Sequence, residues 1–273
     1  MPRAKINGIE LYYELHGLSY ARETVVFANG VLGNTAGWLN QVLLFSRKYR
    51  VLLYDCRNQG RSEKPNEDCT IEAHAHDLDA LLGHLEIEDA HLVGISYGGE
   101  IGMALALSHP MRARSLVLSN SVSQIGPTLE AKIESWLRAA RLRDAKLFLN
   151  ITVPDIFSER FISQNPAFMR TIEEQYAKLD YQAVVHLIAR FREFNITDKL
   201  SRIVAPTLVL ASEEDTLKPL KYSQLIHQQI KQSELFVVRN AGHAVTYEKP
   251  QEFNTLVLGF LEKQVLTQCE NHL

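Results

Sequence analysis

A chain of 273 residues with 46% apolar and 22% charged residues can bury a sizeable core, as one large domain or as a domain carrying an insertion. Its 29 basic and 32 acidic residues leave a formal net charge of -3, which gives no basic footprint for nucleic acid. Cys56, Cys69 and Cys269 are too scattered for a disulfide framework or a metal cluster, and no run reaches the length of a membrane span. Met1 to Gly8 has no apolar leader, so the expected setting is soluble and cytoplasmic.

Lys5 to Leu15 contains two strand-like pieces around Asn7-Gly8, a pair of residues that favours a hairpin. Thr24–Ala28 and Arg50–Tyr54 are continuous apolar strands of the kind covered on both faces in a parallel sheet. A crossover helix is predicted between them, from Gly37 to Lys48. A second helix, Ile71 to Leu85, places Ala73, Leu78, Leu81, Leu82 and Leu85 at helical spacing. The next strand, His91 to Ile95, runs through Gly94-Ile95-Ser96-Tyr97-Gly98 into a helix of small and apolar residues from Glu100 to Leu107. Ser115–Ser119 is a further strand, and the β-α alternation to this point implies right-handed crossovers in a doubly wound sheet.

From 123 to 200 the strand signal disappears. Helices are predicted over Leu129–Ala140, Asp144–Ile151, Ser158–Gln164 and Phe168–Phe194, with Pro127, Pro154 and Pro166 as boundaries. Strands resume at Ala205–Ala211 and Glu234–Val238, separated by a helix from Leu220 to Lys231. A terminal helix covers Gln251–Gln264, and the polar residues after Val265 are expected to fray. The predicted organisation is a core of residues 1–122 and 201–273 interrupted by a helical cap, 123–200.

In open α/β sheets ligands bind beyond the carboxyl ends of the strands. The residues found there are Asn29-Gly30, Ser96, Glu213-Glu214-Asp215 and Gly242-His243. A serine between glycines on a tight strand-to-helix turn has an exposed hydroxyl and a strained backbone. Serine is a poor nucleophile without a base, histidine titrates near neutrality, and a carboxylate can orient the imidazole.

The order Ser96, Asp215, His243 resembles the α/β-hydrolase family over nearly the whole chain. The resemblance rests on Asn29-Gly30, Asp55-Cys56-Arg57-Asn58-Gln59-Gly60-Arg61-Ser62, Gly94-Ile95-Ser96-Tyr97-Gly98-Gly99, Pro206-Thr207-Leu208-Val209-Leu210 leading to Asp215, and Gly242-His243. It implies Ser96 as nucleophile, His243 as base and Asp215 as the orienting acid, with Glu213 and Glu214 as rivals. Some members carry the acid after the sixth strand, where this chain has Ser119-Asn120-Ser121. The backbone N–H groups of Val31 and Tyr97 are the implied oxyanion donors. Many relatives have His-Gly where this chain has Asn29-Gly30. Haloalkane dehalogenases are disfavoured because they need a carboxylate at the position of Ser96.

Asn29, Trp38 and Trp136 are candidates for the substrate pocket. His74, His76, Asp77 and Asp79 superficially suggest a metal site, but helix residues two apart point in different directions, so neither a metal nor another cofactor is expected. Asp55 and Arg57 are expected to brace the loop near the active-site mouth, and Cys56 to be a packed thiol. The expected activity is hydrolysis of a carboxylic ester or thioester through an acyl-enzyme on Ser96, with a small-molecule or carrier-bound acyl substrate. The alternative, from a weaker similarity to 3-hydroxyacyl carrier-protein transacylases and the enzymes of rhamnolipid precursors, is transfer of a (3-hydroxy)acyl group to an alcohol or thiol. A third reading is a binding protein on a hydrolase scaffold.

Overall fold

The computed structural model describes residues 2–18, 21 and 23–270. The chain begins with β1 (Arg3–Ile6) and β2 (Ile9–Gly17), a hairpin turned by Asn7 and Gly8 at φ 48° and 87°. It continues through β3 (Thr24–Ala28), α1 (Leu39–Phe45), β4 (Arg50–Tyr54), α2 (Ile71–His84), β5 (Ala90–Ile95), α3 (Tyr97–Ser108) and β6 (Ala113–Ser119). Five helices follow without a named strand: α4 (Pro127–Leu142), α5 (Ala145–Ile156), α6 (Glu159–Gln164), α7 (Pro166–Tyr176) and α8 (Tyr181–Ile188). The remainder is β7 (Thr207–Ser212), α9 (Leu220–Gln229), β8 (Ser233–Val238), α10 (Val245–Glu248) and α11 (Pro250–Glu270).

The strands form one sheet in the order β1-β2-β4-β3-β5-β6-β7-β8. β2 is antiparallel to both neighbours, and β3 to β8 are parallel. Alternate residues of the buried strands divide between two cores, as the two-residue period of a strand requires. Val25, Phe27, Val51 and Leu53 join Phe45, Phe253, Val257 and Leu261 from α1 and α11. Val26, Leu52, Leu92 and Leu116 join Leu78, Leu82, Ile101 and Leu105 from α2 and α3. Each such fully buried side chain contributes roughly 1.5–3 kcal/mol, which explains why these strands carry apolar residues on both faces.

The helices depart from expectation at their ends. The first crossover is a 3-10 turn, Thr35–Trp38, leading into the short α1, because Asn34 caps the turn through Ala36 N at 3.0 Å. Pro127 and Pro166 open α4 and α7, whereas Pro154 lies inside α5 and the helix runs on to Ile156. The single helix expected over Phe168–Phe194 is broken, because Asp180 takes an extended conformation and caps α8 through Ala183 N at 3.0 Å. The terminal helix runs to Glu270 rather than stopping at Gln264; of the residues expected to fray, 271–273 lie outside the described residues. No helix among the described residues is long and apolar enough to cross a membrane.

Candidate active site

Strand β5 delivers Ser96 to the carboxyl edge of the sheet at φ 53° and ψ −121°, a conformation costly for a residue with a Cβ. Hydrogen bonds hold it there: Ser96 N donates to Ser119 O at 2.8 Å, and Ser96 O accepts from Gly99 N at 2.8 Å and Ser121 Oγ at 3.1 Å. The flanking glycines are obligatory by proximity. A Cβ on Gly94 would lie 2.4 Å from the Gly98 carbonyl carbon, and one on Gly98 would lie 2.0 Å from Ala28 O. The Ser96 turn therefore exists only because β3, β5 and α3 touch backbone to backbone.

The loops after β7 and β8 bring an acid and a base together. His243 Nδ1 lies 2.7 Å from Asp215 Oδ2, and both side chains are buried. The other carboxylate oxygen, Oδ1, accepts from Leu217 N at 2.9 Å and Lys218 N at 2.8 Å, so the acid is oriented by its own loop. Its rivals are committed elsewhere: Glu213 accepts from Asn240 N and Glu214 pairs with Arg160. Beyond β6, Asn120 donates to His243 O at 2.7 Å and braces the histidine loop.

Ser96 and His243 line one cavity of about 320 Å³, together with Asn29, Val31, Trp38 and Trp136. Asn29 lines it but has its side-chain bonds already made: Nδ2 donates to Tyr54 O at 2.9 Å, and Oδ1 accepts from Trp38 Nε1 at 2.6 Å. Trp136 donates Nε1 to Asp155 Oδ2 at 3.0 Å, leaving its ring as an apolar wall. Tyr97 is the first residue of α3, where backbone N–H groups lack intrahelical acceptors. Its side chain is buried and donates to Leu187 O at 3.1 Å.

The remaining candidates fall outside the cavity. Asp55 accepts from Thr35 N at 2.7 Å and Arg61 N at 2.8 Å, and burial pushes its carboxyl above the usual range. Arg57 makes two bonds to Asp77 at 2.6 and 2.8 Å. His74 is buried with Nε2 3.1 Å from Cys69 Sγ, and His76 is exposed, while Asp79 pairs with Arg112. The four side chains of the apparent cluster thus serve different partners. Cys56 and Cys69 are buried, and burial pushes both thiols up, the latter to about 11.

Glu100 and Lys218 were not singled out from the sequence. Lys218 Nζ lies 2.9 and 3.0 Å from the two carboxylate oxygens of Glu100, which also accepts from Val122 N at 2.8 Å. Burial raises the Glu100 carboxyl above its ordinary value, and the Lys218 ammonium opposes that rise. The available signal was an acid in the first turn of a helix that, between Gly98 and Leu107, is otherwise made of glycine, alanine and large apolar residues.

With this geometry in place, comparison with known proteins gives a consistent answer. A family model described as alpha/beta hydrolase fold matches residues 23–250, and the chain belongs to that family. A Caulobacter sp. (strain K31) protein with the provisional name carbamate hydrolase RutD is 31% identical over 92% of this chain and 95% of its own. The 3-oxoadipate enol-lactonase 2 of Acinetobacter baylyi is 29% identical over 89% of this chain and 90% of its own. Among solved structures, MGS-M2, an alpha/beta hydrolase enzyme from a Medee basin deep-sea metagenome library, superposes with a TM-score of 0.92 at 30% identity, covering 96% of this chain and 97% of that one. The names of these relatives are those of hydrolases and a lactonase, and support an enzyme that hydrolyses ester-like bonds.

Proposed function

We propose that the chain is a serine hydrolase that cleaves a carboxylic ester, or a related carbonyl bond such as a thioester or lactone, through an acyl-enzyme on Ser96. One observation carries the reading: the buried 2.7 Å contact between Asp215 and His243, in a cavity that His243 shares with Ser96 on its strained turn. The relatives whose names specify a carbamate and an enol-lactone lend support, since both reactions involve attack at a carbonyl carbon.

In the proposed cycle His243 removes the Ser96 hydroxyl proton as Oγ attacks the carbonyl carbon. Asp215 holds the imidazole with its proton on Nδ1 and stabilises the cation formed. The developing oxyanion is received by the backbone N–H groups of Val31 and Tyr97; loss of one such donor typically costs about 2.7–4 kcal/mol. The imidazolium returns the proton to the leaving oxygen, nitrogen or sulfur. Water then repeats the attack on the acyl-enzyme with His243 as base, releasing the acid and restoring Ser96. No cofactor enters the cycle.

Residues 123–200 act in this reading as a cap, because Leu129, Ile133, Trp136, Phe157 and Phe168 line the cavity that Ser96 also lines. The substrate is a small molecule, and the unpaired thiols Cys56 and Cys69 suit a reducing, cytoplasmic setting. The test is turnover of short aryl esters by wild-type and Ser96→Ala protein, with a fluorophosphonate label mapped by mass spectrometry. The expected results are a loss of at least about 10³-fold and a label on Ser96 alone. Undiminished turnover in Ser96→Ala overturns the mechanism.

A further inference from the structure

Resting on the proposed use of Ser96, the chemistry of its cavity can be taken one step further. The described lining is mostly apolar, and Lys218 is its only lysine or arginine among the described residues. That ammonium is not offered to a ligand. It sits between both carboxylate oxygens of Glu100, at 2.9 and 3.0 Å, with the two side chains 0% and 2% exposed. The Phe191 ring covers it further, with its centroid 5.0 Å from Nζ. Glu100 is itself anchored by Val122 N at 2.8 Å and belongs to the first turn of α3, four residues after Ser96.

We infer that Glu100 is a specificity-determining residue: by holding the ammonium of Lys218, it reserves the cavity for uncharged, apolar acyl groups. A substrate carboxylate approaching Lys218 would place two carboxylates on one ammonium. The net negative charge would then be buried among Leu129, Ile133, Trp136 and Phe191, where desolvation is severe and, among the described lining residues, no second lysine or arginine offsets it. A neutral alkyl or aryl acyl chain meets no such penalty. Glu100 does not touch the reacting atoms; it acts through Lys218.

The experiment compares two aryl esters in the same protein: the monoester of hexanedioic acid, which carries a free carboxylate, and its isostere with an isopropyl group in place of that carboxylate. Wild-type protein is expected to favour the neutral ester in kcat/KM, and a wild-type preference for the charged ester overturns the proposal without any variant. Glu100→Gln keeps the shape but removes the counter-charge, so the charged-to-neutral ratio should rise about tenfold or more, as expected for a gained hydrogen bond between charged groups. The double variant Glu100→Gln, Lys218→Met should lose that gain. An unchanged ratio in folded Glu100→Gln, or a gain that survives in the double variant, refutes the assignment. A general loss of stability would lower both rates and leave the ratio alone.

Lys218→Met alone provides the second arm. Its charged-to-neutral ratio in kcat/KM should not exceed that of wild type, and a rise of about tenfold or more refutes the assignment. Calorimetric titration with hexanoate, which needs no chemistry at Ser96, separates the two claims. Tighter binding by Glu100→Gln than by wild type supports the masking even if Ser96 is not labelled. Equal binding with a labelled Ser96 sinks the masking and leaves the hydrolase reading intact.

Discussion

Replacing Asp215 by asparagine tests whether the acid works by charge and proton placement or by packing alone. Asparagine fits the same space, and its orientation is dictated by the loop. Oδ1 of Asp215 accepts two backbone bonds, from Leu217 N and Lys218 N at 2.9 and 2.8 Å. An amide with its NH₂ turned toward those donors would leave both unsatisfied, at about 1–3 kcal/mol each. Even the lower figure, about 2 kcal/mol for the pair, favours the other orientation by roughly 30 to 1. The amide nitrogen therefore faces His243 Nδ1, in the position where Oδ2 stands at 2.7 Å. A donor there requires Nδ1 to accept, which moves the imidazole proton to Nε2 and removes the lone pair with which, in the proposed mechanism, His243 deprotonates Ser96. The expected loss in kcat is about 10³–10⁴-fold, or roughly 4–5.5 kcal/mol, with KM changed much less. Steady-state kinetics on an aryl ester, with a circular dichroism check of folding, measures it. A folded variant that loses less than about tenfold would refute this account of the acid.

Two further outcomes follow from packing and burial. Gly98→Ala puts a methyl group 2.0 Å from the backbone oxygen of Ala28 and should cost more than about 4 kcal/mol in denaturant unfolding. Gly259→Ala on the exposed side of α11 meets nothing within 4 Å and should gain about 0.5–1 kcal/mol; equal effects at the two positions would contradict the backbone-contact argument. His74 is a pH probe: burial, reinforced by the positive Arg57, lowers its pKa from 6.5 to about 3. Below pH 6.5 the unfolded chain takes up a proton that the folded one does not, so His74 costs stability as pH falls, by about 2 kcal/mol at pH 5. His74→Leu should remove that part of the decline between pH 7 and 5, read from paired urea titrations. Parallel curves for the two proteins would mean that the imidazole is not held neutral.

Much of the architecture was legible because its determinants are local. Continuous apolar runs marked the central strands, the Asn7-Gly8 pair marked the hairpin, and the spacing of glycines around Ser96 marked the turn. Strand-end placement was enough to nominate Glu213-Glu214-Asp215 and His243, and the family resemblance to prefer Asp215, which the fold brings within 2.7 Å of His243 although they are 28 residues apart. The helical stretch was legible in content and not in its breaks. Phe168–Phe194 has helical periodicity throughout, and the interruption depends on one Asp180 side chain outcompeting helix continuation. Asn29 lines the cavity, but its polar atoms serve Tyr54 at the end of β4 and Trp38 in the turn before α1, partners that tertiary packing and not a local pattern supplies. The Glu100–Lys218 pair joins residues 118 apart, so neither residue carries a local sign of the other.

A carboxylate near the histidine loop bears on how the site opens. Glu248 in α10 accepts from Gly242 N at 3.1 Å, and it also accepts from Ser158 N at 2.8 Å and Ser158 Oγ at 2.6 Å. Ser158 caps α6, and next to it Ala244 N donates to Ile156 O at 2.9 Å. The corner between α5 and α6 and the loop that carries the imidazole are therefore one mechanical piece. Lifting that corner would uncap α6 and drag the base away from Asp215, so substrate admitted by such a motion would arrive at a dismantled site. Helix α7 has Tyr176 as its only buried residue, and it joins the same piece through Phe168, whose ring lies 5.7 Å from that of Phe157 and 5.6 Å from that of Tyr247 in α10.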